Sequence, residues 1–144
     1  MEDTPMFGKK TTLNILMIDD DKDDIYITQR RLKGANISHN FFYETSGFNL
    51  FVKLAELKEN KKTNSNLIIL LDINMPIVNG LDVLTLLKTK SPYKDVPVIM
   101  LCTSDNINDM TDSLSIGADA YLVKPLDPEG LISAIENLGN FKLT

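Results

Sequence analysis

Five acids occupy six consecutive positions, Asp19, Asp20, Asp21, Asp23 and Asp24, directly after the apolar segment Leu13–Ile18. A second apolar run, Leu67–Leu71, ends on Asp72. A third, Val96–Leu101, runs into Cys102, Thr103 and Ser104, and a short fourth, Ala120–Val123, into Lys124 and Pro125. Ordinary packing does not explain an acid at the end of an apolar strand. Carboxylates brought close together repel unless a cation neutralises them. A hard divalent ion with oxygen ligands, Mg²⁺ above all, meets that need. A lysine adds a positive charge that can face an anion. Metal, lysine and carboxylate together suit phosphoryl transfer onto a carboxylate oxygen. The remaining acids of the run, Asp21, Asp23 and Asp24, read as solvated first-turn residues favoured by a helix dipole. His39 has no partner at metal-ligand spacing, and the methionines are scattered as core or loop residues.

These residues converge only if the elements between them bring the strand ends to one edge. Leu13–Ile18 reads as a strand, and 23–35 as a helix with Ile25, Leu32 and Ala35 near one face. His39–Tyr43 is a short aromatic strand. Residues 47–60 read as a helix whose apolar stripe is Phe48, Phe51, Val52 and Ala55. A polar, turn-rich loop reaches Asn66. Leu67–Leu71 is a strand, 80–90 a helix with Leu81, Leu84 and Leu87 inward, and Val96–Leu101 a strand. Residues 105–116 are helical and end at Gly117, a natural helix stop. After the strand Ala120–Val123, Asp127 caps a last helix with Pro128 in its first turn. Leu131, Ile132, Ile135 and Leu138 form the apolar face of that helix. Strand and helix alternate five times, and most of the strands are near-continuous apolar runs rather than alternating ones. That pattern predicts an α/β fold with a parallel sheet covered on both faces. In such sheets chemistry gathers at the carboxyl ends of the strands, where the acids and the lysine stand.

The chain has 144 residues, the size of one domain, with a hydrophobic fraction of 43%. That length buries a core without disulfides, and Cys102 is the single cysteine. A single cysteine and the lack of an apolar leader in Met1–Thr12 lead to the expectation of a cytoplasmic protein. No run approaches the length of a membrane span. The net charge of −5 argues against a nucleic-acid partner.

The segment Ile15-Leu16-Met17-Ile18-Asp19-Asp20-Asp21 resembles the opening of a response-regulator receiver domain. Leu70-Leu71-Asp72-Ile73-Asn74-Met75-Pro76, followed by Gly80, is similar to that family's phosphoacceptor motif, and Tyr121-Leu122-Val123-Lys124-Pro125 to its fifth-strand motif. The three motifs occur in order and at the family's separations, and the likeness spans Leu13 to Leu138. It is nearest to the small stand-alone type paired with phytochrome-like and other histidine kinases.

The resemblance implies a five-stranded parallel sheet of order 2-1-3-4-5 with helices on both faces. Residues 12–144 would form a single receiver domain without an output domain, preceded by a flexible extension, 1–11. Asp72 would accept a phosphoryl group from a phosphohistidine on a histidine kinase or phosphotransfer protein. Asp20 and Asp72 would hold Mg²⁺, with the Asn74 backbone carbonyl as a further ligand and Asp19 acting mostly through a bound water. Lys124 would contact the phosphoryl oxygens, its peptide bond to Pro125 would be cis, and Tyr121 would be an aromatic switch rotating inward. The module would not be a turnover enzyme: it would catalyse only its own phosphorylation and dephosphorylation, and signal to a downstream protein. Homodimerisation through the last helices stays open.

One position departs from the family pattern. A Thr or Ser normally ends the fourth strand, and the spacing to Lys124 puts Cys102 there, with Thr103 one residue later. A thiol is a weak hydrogen-bond donor, so either Cys102 serves poorly or Thr103 substitutes. Three rival readings stand beside it. An aspartyl phosphatase needs a second acid two residues after its nucleophile, where this chain has Asn74. A docking-only module that has lost phosphorylation is kept in view by Cys102. A flavin-binding domain lacks its hydroxyl-rich phosphate loop after the first strand.

Overall fold

The computed structural model describes residues 12–103 and 107–138. The expected extension 1–11 lies outside them, as do Ser104, the first two residues of the expected helix 105–116, and the tail 139–144. The elements are β1 (Leu13–Ile18), α1 (Lys22–Gly34), β2 (His39–Glu44), α2 (Gly47–Glu59) and β3 (Leu67–Asp72). They continue as α3 (Gly80–Thr89), β4 (Val98–Cys102), α4 (Ile107–Ile116), β5 (Ala120–Val123) and α5 (Pro128–Glu136). The strands pair in parallel in the order β2-β1-β3-β4-β5, as the resemblance implied.

The helices α1, α2, α3 and α5 each begin where a short polar side chain satisfies an orphan amide. Asp21, Ser46, Asn79 and Asp127 accept from Asp23, Phe48, Leu81 and Glu129 respectively. Gly117 stops α4 with a φ of 125°, a conformation that side chains resist.

β1, β3 and β4 are buried at every position, because helices cover both faces of the sheet. Alternate residues serve opposite layers. Ile15 and Met17 join α1 and α5, through Ile25, Leu32, Leu131 and Ile135. Leu16 and Ile18 join α2 and α3, through Leu50, Leu54, Val83 and Leu87.

Two expectations are corrected. The buried stripe of α2 is Leu50, Leu54 and Leu57, while Phe48 and Val52 are 68% and 65% exposed. Both stripes have helical spacing, and Gly47 decides between them. A side chain there would come within 3.0 Å of Val83 and 3.3 Å of Val78, so the Gly47 face is the one that packs closely. β4 begins at Val98 rather than Val96, since Pro97 has no amide to donate to a ladder. Among the described residues no helix is long and apolar enough to cross a membrane.

Candidate functional site

The carboxyl ends of β1, β3, β4 and β5 lie along one edge of the sheet. Asp72 is the last residue of β3, opposite Leu101 of β4, and is only 2% exposed. Asp19 follows β1 and is fully buried; Asp20 is exposed. One carboxylate oxygen from each of Asp19, Asp20 and Asp72 lies within 4.8 Å of the others. Lys124, just past β5, has an 11% exposed side chain and reaches over this group. Its Nζ donates to Asp19 Oδ2 at 2.6 Å and to Asp24 Oδ2 at 2.8 Å, and pairs with Asp72 Oδ1 at 3.4 Å.

Backbone donors finish the frame. The Asp21 amide donates to Asp19 Oδ1 at 2.9 Å and the Asn74 amide to Asp72 Oδ1 at 3.3 Å. The Asp19 amide donates to the Glu44 carbonyl of β2, which ties the acid to the neighbouring strand end. Gly80 keeps the β3–α3 connection tight. Its amide donates to the Ile73 carbonyl at 2.9 Å, and a Cβ there would overlap the Asp72 carbonyl oxygen and approach Ile73 Cα to 2.8 Å. A glycine is therefore required for the chain to pass directly behind Asp72.

Acids outnumber ammonium groups here, and burial makes the imbalance costly. Burial and then the charge of Asp19 push the Asp72 carboxyl up to about 6, against the pull of Lys124. Burial also raises Asp19, with Lys124 and the Asp21 amide opposing. Burial on its own would lower the Lys124 ammonium; its bonds to Asp19 and Asp24 outweigh that and hold it above the ordinary lysine range. Hard oxygen donors that are under-neutralised and mutually close match the ligand chemistry of a small divalent cation.

Between β4 and β5, beside the charged group, lies a thiol–hydroxyl contact. Cys102 is fully buried opposite Val123, and its Sγ is hydrogen-bonded to the Tyr121 hydroxyl. Thr103 is exposed. The Lys124 amide donates to the Cys102 carbonyl at 2.7 Å, and the Lys124–Pro125 bond is cis.

Asp19, Asp20, Asp72 and Lys124 are thus brought together at this edge, Cys102 and Tyr121 meet each other, and two features were not foreseen. Asp24, read as a solvated first-turn acid, is an ion-pair partner of Lys124 with a 32% exposed side chain. Arg31 of α1 donates to the Leu126 carbonyl at 2.9 Å. No local pattern signals either contact, because the partners are 100 and 95 residues apart in the chain. His39 Nδ1 lies 2.8 Å from the Ile37 carbonyl, a local hydrogen bond away from the acids.

Comparisons with known proteins point to one family. The model of the response regulator receiver domain matches residues 15–136. The response regulator Rcp1 of Synechocystis is 30% identical over 129 residues, 90% of this chain and 88% of its own. The solved bacteriophytochrome response regulator RtBRR superposes with a TM-score of 0.70 at 29% identity, covering 93% of this chain and 82% of that one. The Mn²⁺-bound form of Rcp1 superposes at 0.62 with 26% identity, over 92% and 99% of the two chains. With its strand order, its acid-and-lysine edge and a family match over nearly its whole length, the chain belongs to the response regulator receiver domains of two-component signalling.

Proposed function

We propose that the chain accepts a phosphoryl group on Asp72 from a phosphohistidine of a histidine kinase or phosphotransfer protein. The observation that carries this reading is a nearly buried carboxylate at a strand end, 3.4 Å from a lysine ammonium and grouped with two further acids. In the transfer an Asp72 oxygen attacks phosphorus, the phosphorus–nitrogen bond breaks, and the imidazole leaves with the electron pair. With its carboxyl near 6, Asp72 is mostly ionised at neutral pH and can act as the nucleophile.

Asp19, Asp20, Asp72 and the Asn74 carbonyl are the groups that would hold Mg²⁺. The ion, when bound, offsets the charge gathered on the transferring oxygens. Lys124 supplies the protein's own positive charge there. The Asn74 amide orients the Asp72 carboxyl, and Gly80 lets the backbone close behind it. Tyr121 acts as the switch through its bond to Cys102, altering the surface formed by α4, β5 and α5, and through it a protein partner in the cytoplasm. This role is signalling, not turnover of a free substrate.

Intact-protein mass spectrometry tests the reading. Acetyl phosphate with Mg²⁺ adds one phosphoryl group to the parent and none to Asp72→Asn. Equal labelling of that variant would refute the assignment. An unlabelled parent would select the docking-only reading that Cys102 keeps in view.

A further inference from the structure

Asp24 stands outside the trio of acids whose oxygens are grouped for a cation, yet it takes one of the three protons of Lys124, at 2.8 Å. Asp19 takes another at 2.6 Å, leaving Asp72 the longest of the contacts at 3.4 Å. Lys124 is therefore held more closely by Asp19 and by Asp24 of α1 than by the phosphoacceptor. The backbone beside it is also tied to α1: Arg31 donates to the Leu126 carbonyl at 2.9 Å. Asp24 and Arg31 are two helical turns apart, so a single helix holds both the lysine side chain and the loop that follows it.

A phosphoryl group on Asp72 presents several anionic oxygens to the same ammonium. Asp19 belongs to the cation trio, so a bound cation weakens its claim on Lys124. Asp24 does not, so its claim persists. Resting on the phosphoacceptor reading of Asp72, we propose that Asp24 is a positioning residue that competes with the phosphoryl group for Lys124 and so restrains phosphorylation. It acts only through Lys124. In the labelling step with acetyl phosphate the phosphorus–oxygen bond to acetate breaks, a bond from phosphorus to an Asp72 oxygen forms, and acetate leaves with the electron pair. Lys124, released from Asp24, then meets the transferring oxygens sooner and more fully.

The test compares Asp24→Asn with Asp23→Asn. Both acids lie in the first turn of α1, so both substitutions remove one charge and the same helix-dipole contribution. Of these two acids, Asp24 is the one that pairs with Lys124. At saturating Mg²⁺ the second-order rate of labelling by acetyl phosphate is expected to rise about two- to fivefold in Asp24→Asn, the size of a partly exposed ion pair. Asp23→Asn should match the parent, and Asp24→Glu should restore the restraint. A second readout needs neither metal nor donor. In ¹⁵N-lysine NMR of the metal-free protein, the Lys124 ammonium should exchange its protons with water faster in Asp24→Asn and not in Asp23→Asn. Equal rates in the two Asn variants, or slower labelling in Asp24→Asn, would overturn the proposal. If the parent itself took no label, the phosphoacceptor reading would fall and the competition with it. If the parent took label while Asp24→Asn matched Asp23→Asn, only the competition would fall.

Discussion

The acid pocket at the ends of β1 and β3, closed by Lys124, and the Cys102–Tyr121 contact between β4 and β5 solve opposite problems. In the pocket, Asp19 and Asp72 are buried, raised above their ordinary pKa, and dependent on one ammonium. Between β4 and β5, Cys102 and Tyr121 meet through a thiol–hydroxyl contact. The acid pocket holds together against electrostatic cost, so cations and protons act on it strongly. The thiol contact carries no charge, so only packing and hydrogen-bond strength act on it. Effects at the two places should differ accordingly in size and in their response to pH.

The largest effect is expected from Lys124→Met. Removing one partner of a buried ion pair costs about 3–5 kcal/mol, because the remaining charge stays desolvated. Here Asp19 is the acid left in that condition, with no exposure to solvent. Urea denaturation at pH 7 should show that loss, and the loss should shrink towards pH 5 as the acids take up protons. A variant as stable as the parent at pH 7 would mean that the pocket is far less charged than its geometry indicates.

Next in size is the dependence on pH in the absence of divalent ions. The Asp72 carboxyl stands at about 6 in the fold against 3.8 unfolded. Between those values the native state binds more protons than the unfolded state. Stability therefore falls as pH rises from about 4 to 6, and the cost persists above that range. A shift of this size corresponds to a cost on the order of 2–3 kcal/mol at neutral pH. The sign for Lys124 is the reverse. Its raised pKa contributes stability that is complete below the unfolded lysine value and constant over the acid range. Thermal melts followed by circular dichroism in a chelator should show the decline. Asp72→Asn should flatten it and melt higher than the parent at pH 7.

Mg²⁺ tests the same pocket with a smaller effect. An ion that binds only the folded state stabilises by mass action, about 1–2 kcal/mol at roughly ten times its dissociation constant. Asp20→Asn removes one of the three grouped carboxylates, and the exposed one. It should blunt the Mg²⁺-induced rise in melting temperature while stabilising the metal-free protein slightly. An unchanged response to Mg²⁺ would remove Asp20 from the ligand set.

The contrast also marks what a sequence can reveal. β1, β3 and β5 were legible because unbroken apolar runs and parallel pairing go together, and Asp72 stood out as an acid ending such a run. The α2 face was not legible: Gly-Phe-Asn-Leu-Phe-Val-Lys-Leu carries two apolar stripes of equal period. Only the close approach of Val83 to Gly47 selects one of them. The pairing of Asp24 is not legible in the sequence for a related reason. Its place in the first turn fits a solvated acid, and its partner arrives from a strand end a hundred residues on. Contacts written by short-range pattern were visible, whereas those written by topology became visible only with the sheet order in hand.

The smallest effect is expected at the thiol contact, and it decides which residue serves the phosphoryl group beside β4. Cys102 is fully buried at the strand end, whereas Thr103 is exposed. A thiol is a weak donor. A hydroxyl bonded to a charged acceptor contributes about 1.5–3 kcal/mol, against about 0.5–1.5 for a neutral pair. Cys102→Thr introduces that hydroxyl on a β-branched side chain suited to a strand. The gain of about 1 kcal/mol should speed labelling by acetyl phosphate about fivefold. It should also shift the Tyr121 ring signals in the phosphorylated protein, because the group bonded to the Tyr121 hydroxyl has changed. Stability of the unphosphorylated protein should move little, since one neutral contact replaces another. Thr103→Ala should leave both the rate and the Tyr121 signals as they are in the parent. If Thr103→Ala slows labelling while Cys102→Thr changes nothing, the donor beside the phosphoryl group is Thr103, and Cys102 is only the partner of Tyr121.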